Sequence, residues 1–457
     1  FWMLHNLKEI FENKMTCDDT TEALATHMCE LLEFYMLPEL KEDLDNIQLE
    51  TSQFDSYHSL LIQDLPKLYD LVQEFLLKSG DAGHEELRFK LLLLICELTA
   101  SPTIYQLKDD SGNLLKYAND LASKLSSHWW ESTDDQFLKY YEKKLHRDCW
   151  KRQLGAVHGF GRYLELRYGK KSAMSTQMLA FALSVGLNVR ECYDTIYKQL
   201  GVKIFSVMLK FSDSKDIQEL NVHSVIYDHA LKDVYNMDSI EAIESVWNCL
   251  YFCLDHFVDL DAFTWNQCDD MLERLIQNVT MASSPKVLIC LLQYIIRLGY
   301  YFTINRSDVK TALAMDICEP DKLVACRDVC LALNVSTSYR WAKAILQMLV
   351  LESSKLLQGV EVCTALLDQL LRCYLVCIMP IPLQALHPHL PEFYGKFVAV
   401  LMECLVAHEK APPVLKLVSR FIEVFSFQLE NGITETMPAQ LSEFKEALSI
   451  VHHKICE

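Results

Sequence analysis

Residues 57–77 read YHSLLIQDLPKLYDLVQEFLL, with Leu60, Leu61, Leu65, Leu68, Leu71, Val72, Phe75 and Leu76 at steps of three and four. A helix of 3.6 residues per turn gathers those side chains onto one stripe. Polar residues fill the opposite side, so the segment predicts an amphipathic helix with one face to bury. Ser79-Gly80 closes it, because glycine accepts the left-handed conformation that ends a helix. The next segment, 85–98, is apolar nearly all round at residues 92–95. That predicts an inner helix with neighbours on several sides. Pro102 follows its end.

The same rhythm continues along the chain. Apolar spacing and breakers predict helix pairs over about 112–145, 150–186, 189–233, 238–281, 284–333, 336–378 and 391–431, with a last helix near 438–454. Ser239 before Glu241 and Glu244, and Ser283-Ser284-Pro285 before an apolar run, are helix-start signals. Asn431-Gly432 and Pro438 mark the last connection. Pairs of about 40–47 residues are the period of HEAT and armadillo repeats. The 457 residues exceed what one compact core holds, and 13 Gly and 12 Pro are too few for a turn-rich β fold. The expected fold is therefore all-α, a HEAT/armadillo-like solenoid of stacked antiparallel helix pairs. Acidic N-terminal repeats over 1–145 would run on into central and C-terminal repeats over 146–457. Residues 43–55 (DLDNIQLETSQFD) and 108–112 (KDDSG) are the candidate mobile loops.

The net charge of −19 is unevenly spread, since residues 1–100 hold 20 Asp/Glu against 7 Lys/Arg. A contrary run holds Lys139, Lys143, Lys144, Arg147, Lys151, Arg152, Arg162, Arg167, Lys170 and Lys171 against Glu142, Asp148 and Glu165. An acidic chain is a poor general nucleic-acid binder, because phosphate contacts need clustered positive charge. The run reads as a solvated helix face or a contact for an acidic partner, with Lys143, Lys144, Arg147, Lys151 and Arg152 as candidates. The 17 cysteines are scattered through helical segments, which suits buried thiols in a reducing compartment better than a disulfide scaffold. Asn278, Asn305 and Asn334 head glycosylation-like tripeptides of a kind that arises often by chance. Residues 373–391 are free of Asp, Glu, Lys and Arg but carry Pro380, Pro382, Pro388 and Pro391, unsuited to a membrane span. The chain begins at Phe1 without a visible signal peptide.

Motifs for chemistry are weak. Cys249, Cys253 and His256 fall at i, i+4 and i+7, which could present three zinc ligands. The same spacing is any helix's core stripe, and Leu250, Phe252 and Leu254 surround it. Cys326 with Cys330, and Cys373 with Cys377, repeat the pattern. Gly159-Phe160-Gly161 lacks the third glycine and the preceding strand of a nucleotide loop. Gly155 and Gly159 would instead share one helix face and admit a neighbouring helix. His452, His453 and Cys456 cannot face one metal from a regular helix, and His84-Glu85-Glu86 lacks the second histidine of a zinc-protease helix. Asp269 and Asp270 are adjacent and diverge by about 100° on a helix. No catalytic, metal or cofactor site is expected.

Two blocks carry a family likeness. Residues 145–164 read LHRDCWKRQLGAVHGFGRYL, in which a Trp-Lys pair opens a helix after a short basic turn. Residues 193–257 carry Tyr193, then Leu200-Gly201-Val202, an acidic turn, Asn221, and a helix ending near Tyr235. With these, residues 141–257 resemble the central region of the Tel-two-interacting protein two family, the second Tti subunit of the Triple T (TTT) complex. The sequence departs at Glu191-Cys192-Tyr193, where the family usually has two acidic residues before the tyrosine. The resemblance implies a non-enzymatic helical-repeat scaffold, without cofactor, in cytoplasm and nucleus. It implies assembly with two larger helical-repeat subunits. It also implies work with the ninety-kilodalton heat-shock chaperone and its R2TP co-chaperone on the maturation and stability of phosphatidylinositol-3-kinase-related kinases. Trp150, Tyr193, Leu200, Gly201, Val202, Asn221 and Tyr235 are the packing motif under this resemblance. Tyr193, Ile196, Leu200, Ile204, Val207 and Met208 also share helical spacing, and are expected in the repeat core. Two other classes remain open: an unrelated HEAT-type adaptor, such as a transport receptor or cohesin-like regulator, and a metal enzyme built on the Cys/His groups.

Overall fold

A computed structural model describes residues 18–79, 84–101, 103–105, 133–169, 173–235, 239–258, 264–301, 336–355, 364–378, 412–432 and 439–456, with isolated positions elsewhere. Expectations for Gly80, Pro102, 108–112, Lys170, Lys171, Asn305, Asn334, Cys326, Cys330, the prolines of 380–391 and the second half of the pair 284–333 lie outside the described residues.

The described chain is helical. Its α-helices are α1 (Asp18–Phe34), α2 (Asp55–Ser79), α3 (Glu85–Thr99), α4 (Asp134–Lys144), α5 (Leu154–Tyr168), α6 (Thr176–Arg190), α7 (Thr195–Phe211), α8 (Ser214–Glu219) and α9 (Val222–Ala230). They continue with α10 (Ile240–Leu254), α11 (Gln267–Met281), α12 (Pro285–Tyr301), α13 (Ser336–Lys355), α14 (Thr364–Cys377), α15 (Pro412–Gly432) and α16 (Ala439–Cys456). Among the described residues there is no strand, only an isolated bridge between Met174 and Ser212. None of their helices is long and apolar enough to cross a membrane. The fold is all-α, as the hydrophobic period requires.

Backbone contacts divide the chain into two compact units. The first is Phe1–Ala230 with Asn248–His256, and the second is Leu231–Trp247 with Phe257–Glu457. In the first unit α1 packs on α3, α3 on α5, and α5 on α7, while α6 lies along α7. The opening stripe is buried at Leu61, Leu65, Leu68 and Val72. Helix α3 is buried from Leu91 through Thr99, the inner helix its all-round apolar sequence predicts. Phe137, Tyr141, Phe160 and Tyr163 form an aromatic centre, with Phe137 and Tyr163 stacked at 4.1 Å. In the second unit α12 packs on α11 and α14, α13 on α11 and α14, α15 on α14, and α16 on α15. Its core includes Tyr374, Phe393, Phe397, Phe421 and Phe425.

Local chemistry sets the helix starts. Ser175, Asp194 and Asp213 each accept a backbone amide of the helix they precede, at 3.3, 2.9 and 2.8 Å. Each cap satisfies a donor that the first turn leaves open. Ser239 Oγ accepts the Ala242 amide at 3.1 Å, and α12 begins at Pro285, both where the sequence signals a start. Asn221 stands at φ 54° between α8 and α9. Asparagine enters this left-handed region more readily than most residues, which suits it to the junction.

Candidate functional site

The two blocks of family likeness meet in the first unit. Trp150 is buried, with its ring 5.3 Å from that of Tyr197. Its Trp-Lys pair does not open the α-helix. It lies in a 3-10 turn, Arg147–Arg152, because α5 starts only at Leu154. A Cβ placed on Gly161 would stand 2.7 Å from Leu200 Cδ1, so the first block seats the second through a missing side chain. A Cβ on Gly201 would stand 2.9 Å from the Gly186 carbonyl oxygen and 2.8 Å from Arg190 Cβ. Helices α6 and α7 therefore approach closely at Gly201. The partner glycine, Gly186, carries no sequence signal of its own.

Leu200, Ile204, Val207 and Met208 are buried, as the stripe predicts. Tyr193 is not: it is 70 % exposed, which corrects its assignment to the repeat core. The physical reason is the cap. Asp194 holds the start of α7 at Thr195, so Tyr193 lies outside the helix whose spacing it continues. Tyr197, one turn on, takes the buried place. Tyr235 is also largely exposed, but its hydroxyl is held by Gln277 at 2.9 Å and by Arg274.

Gly155 and Gly159 face α3, as their four-residue spacing predicts. What they admit is a carboxylate: a Cβ on Gly155 would stand 2.7 Å from Glu97 Oε2. Glu97 is buried and accepts the Leu37 amide at 3.1 Å. Burial pushes its carboxyl up to about 7, against the opposing pull of the Leu37 amide and Lys144. His158, buried on α5 beside Tyr105 and Tyr197, is held down to about 3 by burial, with Lys203 adding to the effect. The two titrations oppose one another. Glu97 contributes most below about pH 4.5, and its contribution is lost as pH rises towards 7, where only the unfolded chain releases the proton. The His158 contribution is lost as pH falls from 6.5 towards 3. Glu97→Gln keeps the shape and the Leu37 acceptor but removes the titration. Its stability relative to wild type should rise by about 3 kcal/mol between pH 4.5 and pH 7, measured by denaturant unfolding at each pH. A difference that stays flat across this window would show that the Glu97 carboxyl ionises at the same pH in the fold as in the unfolded chain.

The basic run finds acidic partners within the chain itself. Arg152 pairs with Asp43 and Lys151 with Asp45, both at 2.6 Å, and the Leu40 amide donates to the Arg152 carbonyl at 2.9 Å. Arg167 grips Asp134 with two nitrogens, Arg162 meets Glu165 at 3.1 Å, and Lys144 donates to Gln153 at 3.3 Å. Among the described residues, Lys143 and Arg147 are exposed and make no ion pair. The segment 43–55 is thus fastened rather than loose. It forms two 3-10 turns, Leu44–Asn46 and Thr51–Phe54, and lies against the basic turn.

That fastening builds a groove of about 630 Å³, lined by 44–49, Ile104, Tyr193, Asp194, Ile196 and Tyr197. Its lining is part apolar and part polar, and includes one exposed aromatic. Nothing in the periodicity of 43–55 foretells it, because it depends on ion pairs over a hundred residues apart in sequence.

Of the zinc-like trio, His256 places its Nε2 3.0 Å from the Leu209 carbonyl, while the free thiols of Cys253 and Cys249 are hydrogen-bonded to each other and burial pushes the Cys253 thiol well above the ordinary value. Among the described residues, no group of three or more His, Cys, Asp or Glu side chains is placed to hold a metal. In the second unit the sequence reading misses a buried acid. Asp269, at the start of α11, accepts from Arg340 at 2.7 and 3.2 Å, from Trp341 Nε1 at 2.9 Å and from the Asn266 amide at 3.1 Å. Trp265, more than half exposed, stands 5.7 Å from the Trp341 ring. The chain matches no known protein-family profile and no curated protein.

Proposed function

We propose that the helix pairs belong to one HEAT-type solenoid, and that the chain is a non-enzymatic scaffold subunit of a Triple T-type assembly. One observation carries the reading: the two resembling blocks pack on one another, Trp150 against Tyr197 and Leu200 in the space left by Gly161. Motifs that meet in a helical core serve architecture, and stacked helix pairs offer extended surface to partners. In this role the chain binds two larger helical-repeat subunits. The assembly then works with the heat-shock chaperone and R2TP to support phosphatidylinositol-3-kinase-related kinases.

Affinity purification of the full chain from cell extract, read by quantitative mass spectrometry, tests this. Two other helical-repeat proteins should co-purify at fixed stoichiometry, with chaperone components in smaller amount. A long-lived, monodisperse monomer in the extract would overturn the proposal. Recovery of a small GTPase in a salt-sensitive complex would replace it with the unrelated-adaptor reading.

A further inference from the structure

We infer that the groove beside Tyr193 binds an extended peptide segment of a partner, with apolar side chains alternating with lysine or arginine. This goes beyond the scaffold reading and does not rest on it. Three observations choose the occupant. The first is backbone: Ile47 and Glu50 are extended, at φ −131°, ψ 145° and φ −118°, ψ 145°. Among the described residues, the amides of Ile47, Gln48 and Leu49 donate no hydrogen bond. A short extended edge with open donors is the element that a peptide strand extends, its main chain supplying acceptors and alternate side chains entering pockets.

The second observation is the floor. Leu44, Ile47, Leu49, Ile104, Ile196 and Tyr197 supply its apolar part beside the polar Asp45, Asn46, Gln48 and Asp194, and Tyr193 also lines it. A tyrosine offers large contact area with few rotamers to freeze, which is why such residues anchor interfaces. The third is charge. The lining holds two carboxylates, Asp45 and Asp194, and no cation; Lys151, outside the lining, pairs with Asp45 at 2.6 Å, and among the described residues Asp194 has no ion pair. Both act on one neighbour: burial pushes the Cys192 thiol up, a hydrogen bond with the Asp194 backbone opposes it, and the Asp194 and Asp45 charges raise it while Lys151 lowers it. They therefore converge at one end of the groove. A segment with cationic side chains between apolar ones meets all three features, whereas a self-paired second copy would set these carboxylates against each other.

The test uses the full chain and two labelled heptapeptides, Val-Lys-Leu-Lys-Val-Lys-Leu and its counterpart with glutamate for lysine. Fluorescence anisotropy should show binding of the lysine peptide and about tenfold or greater weakening for the glutamate peptide. Tyr193→Ala should weaken the lysine peptide about tenfold or more, with helical circular dichroism unchanged because the side chain is exposed. Hydrogen exchange should slow at alternate amides of 47–49, Ile47 with Leu49 or Gln48 alone, when the peptide is bound. Failure of the lysine peptide to bind, equal binding of the two peptides, unchanged affinity in Tyr193→Ala, or protection confined to other segments would each overturn the inference. Co-purification of the helical-repeat subunits is scored separately, so loss of one proposal leaves the other standing.

Discussion

Trp150→Ala should destabilise the first unit by about 3–5 kcal/mol, the range for removing a buried aromatic without refilling its space. The indole is 1 % exposed and lies where a 3-10 turn, α5 and α7 meet. A rigid turn cannot collapse into the vacancy, because the Leu40 amide and the Asp43 and Asp45 carboxylates hold it from the other side. The loss should therefore lie towards the upper end. Hydrogen exchange resolves it by unit: amides of α5, α6 and α7 should lose protection, while those of α14 and α15 keep theirs. Trp150→Phe, which restores most of the buried area, should recover more than half of the loss. If α5–α7 exchange were unchanged in Trp150→Ala, the indole would not be part of the core, and the packing argument for the first block would fall with it.

The Trp150 turn is also where acidic and basic segments pair. Surface ion pairs are individually worth about 0–1 kcal/mol. The Arg152 guanidinium and Lys151 ammonium are both raised above their ordinary values, with their hydrogen bonds to Asp43 and Asp45 the largest causes. Their contribution is orientation more than stability. They set the 43–50 segment over the Trp150 turn, and that placement forms one wall of the groove beside Tyr193. Here two acids of the N-terminal hundred residues, Asp43 and Asp45, meet two cations of the basic run, Arg152 and Lys151.

What sequence conveys here follows physical range. Period and caps are local, so the stripe at Leu61, Leu65 and Leu68 and the start signals at Ser239 and Pro285 appear where the spacing puts them. Glycines report close approach without naming the neighbour. Gly155 and Gly159 predict a tight contact, but Glu97 beneath them is invisible, since this buried acid directly follows the apolar run 91–96. Tyr193 shows the opposite failure. It fits the period of α7 and is excluded by one aspartate, whose cap starts the helix two residues later. The ion pairs of Asp43 and Asp45 lie over a hundred residues away, at a distance no periodicity encodes.

Asp269→Ala should cost the second unit about 3–5 kcal/mol, because it strips a buried, fully engaged carboxylate and leaves its partners without an acceptor. Asp269 is inaccessible to solvent, yet it answers four donors: two guanidinium nitrogens of Arg340, the Trp341 indole N–H and the Asn266 amide. The last belongs to a capping box, in which Asn266 Oδ1 accepts from the Cys268 amide at 2.9 Å. One side chain thus closes the start of α11 and ties α13 to it. Its adjacent acid, Asp270, points elsewhere and accepts from Trp265 Nε1 at 2.8 Å, as a 100° step along a helix requires. Asp269→Asn keeps the shape but loses the charge, and should cost about 1.5–3 kcal/mol. Arg340→Lys should also lose stability, since a lysine has one nitrogen to offer two carboxylate oxygens. The double variant Asp269→Ala with Arg340→Ala should cost clearly less than the two single losses added, the mark of one shared interaction. Hydrogen exchange across α11 and α13 reads each of these in the full chain. Strict additivity, or exchange lost in α11 alone, would mean that Asp269 serves only as a cap and that α13 is held by its apolar face.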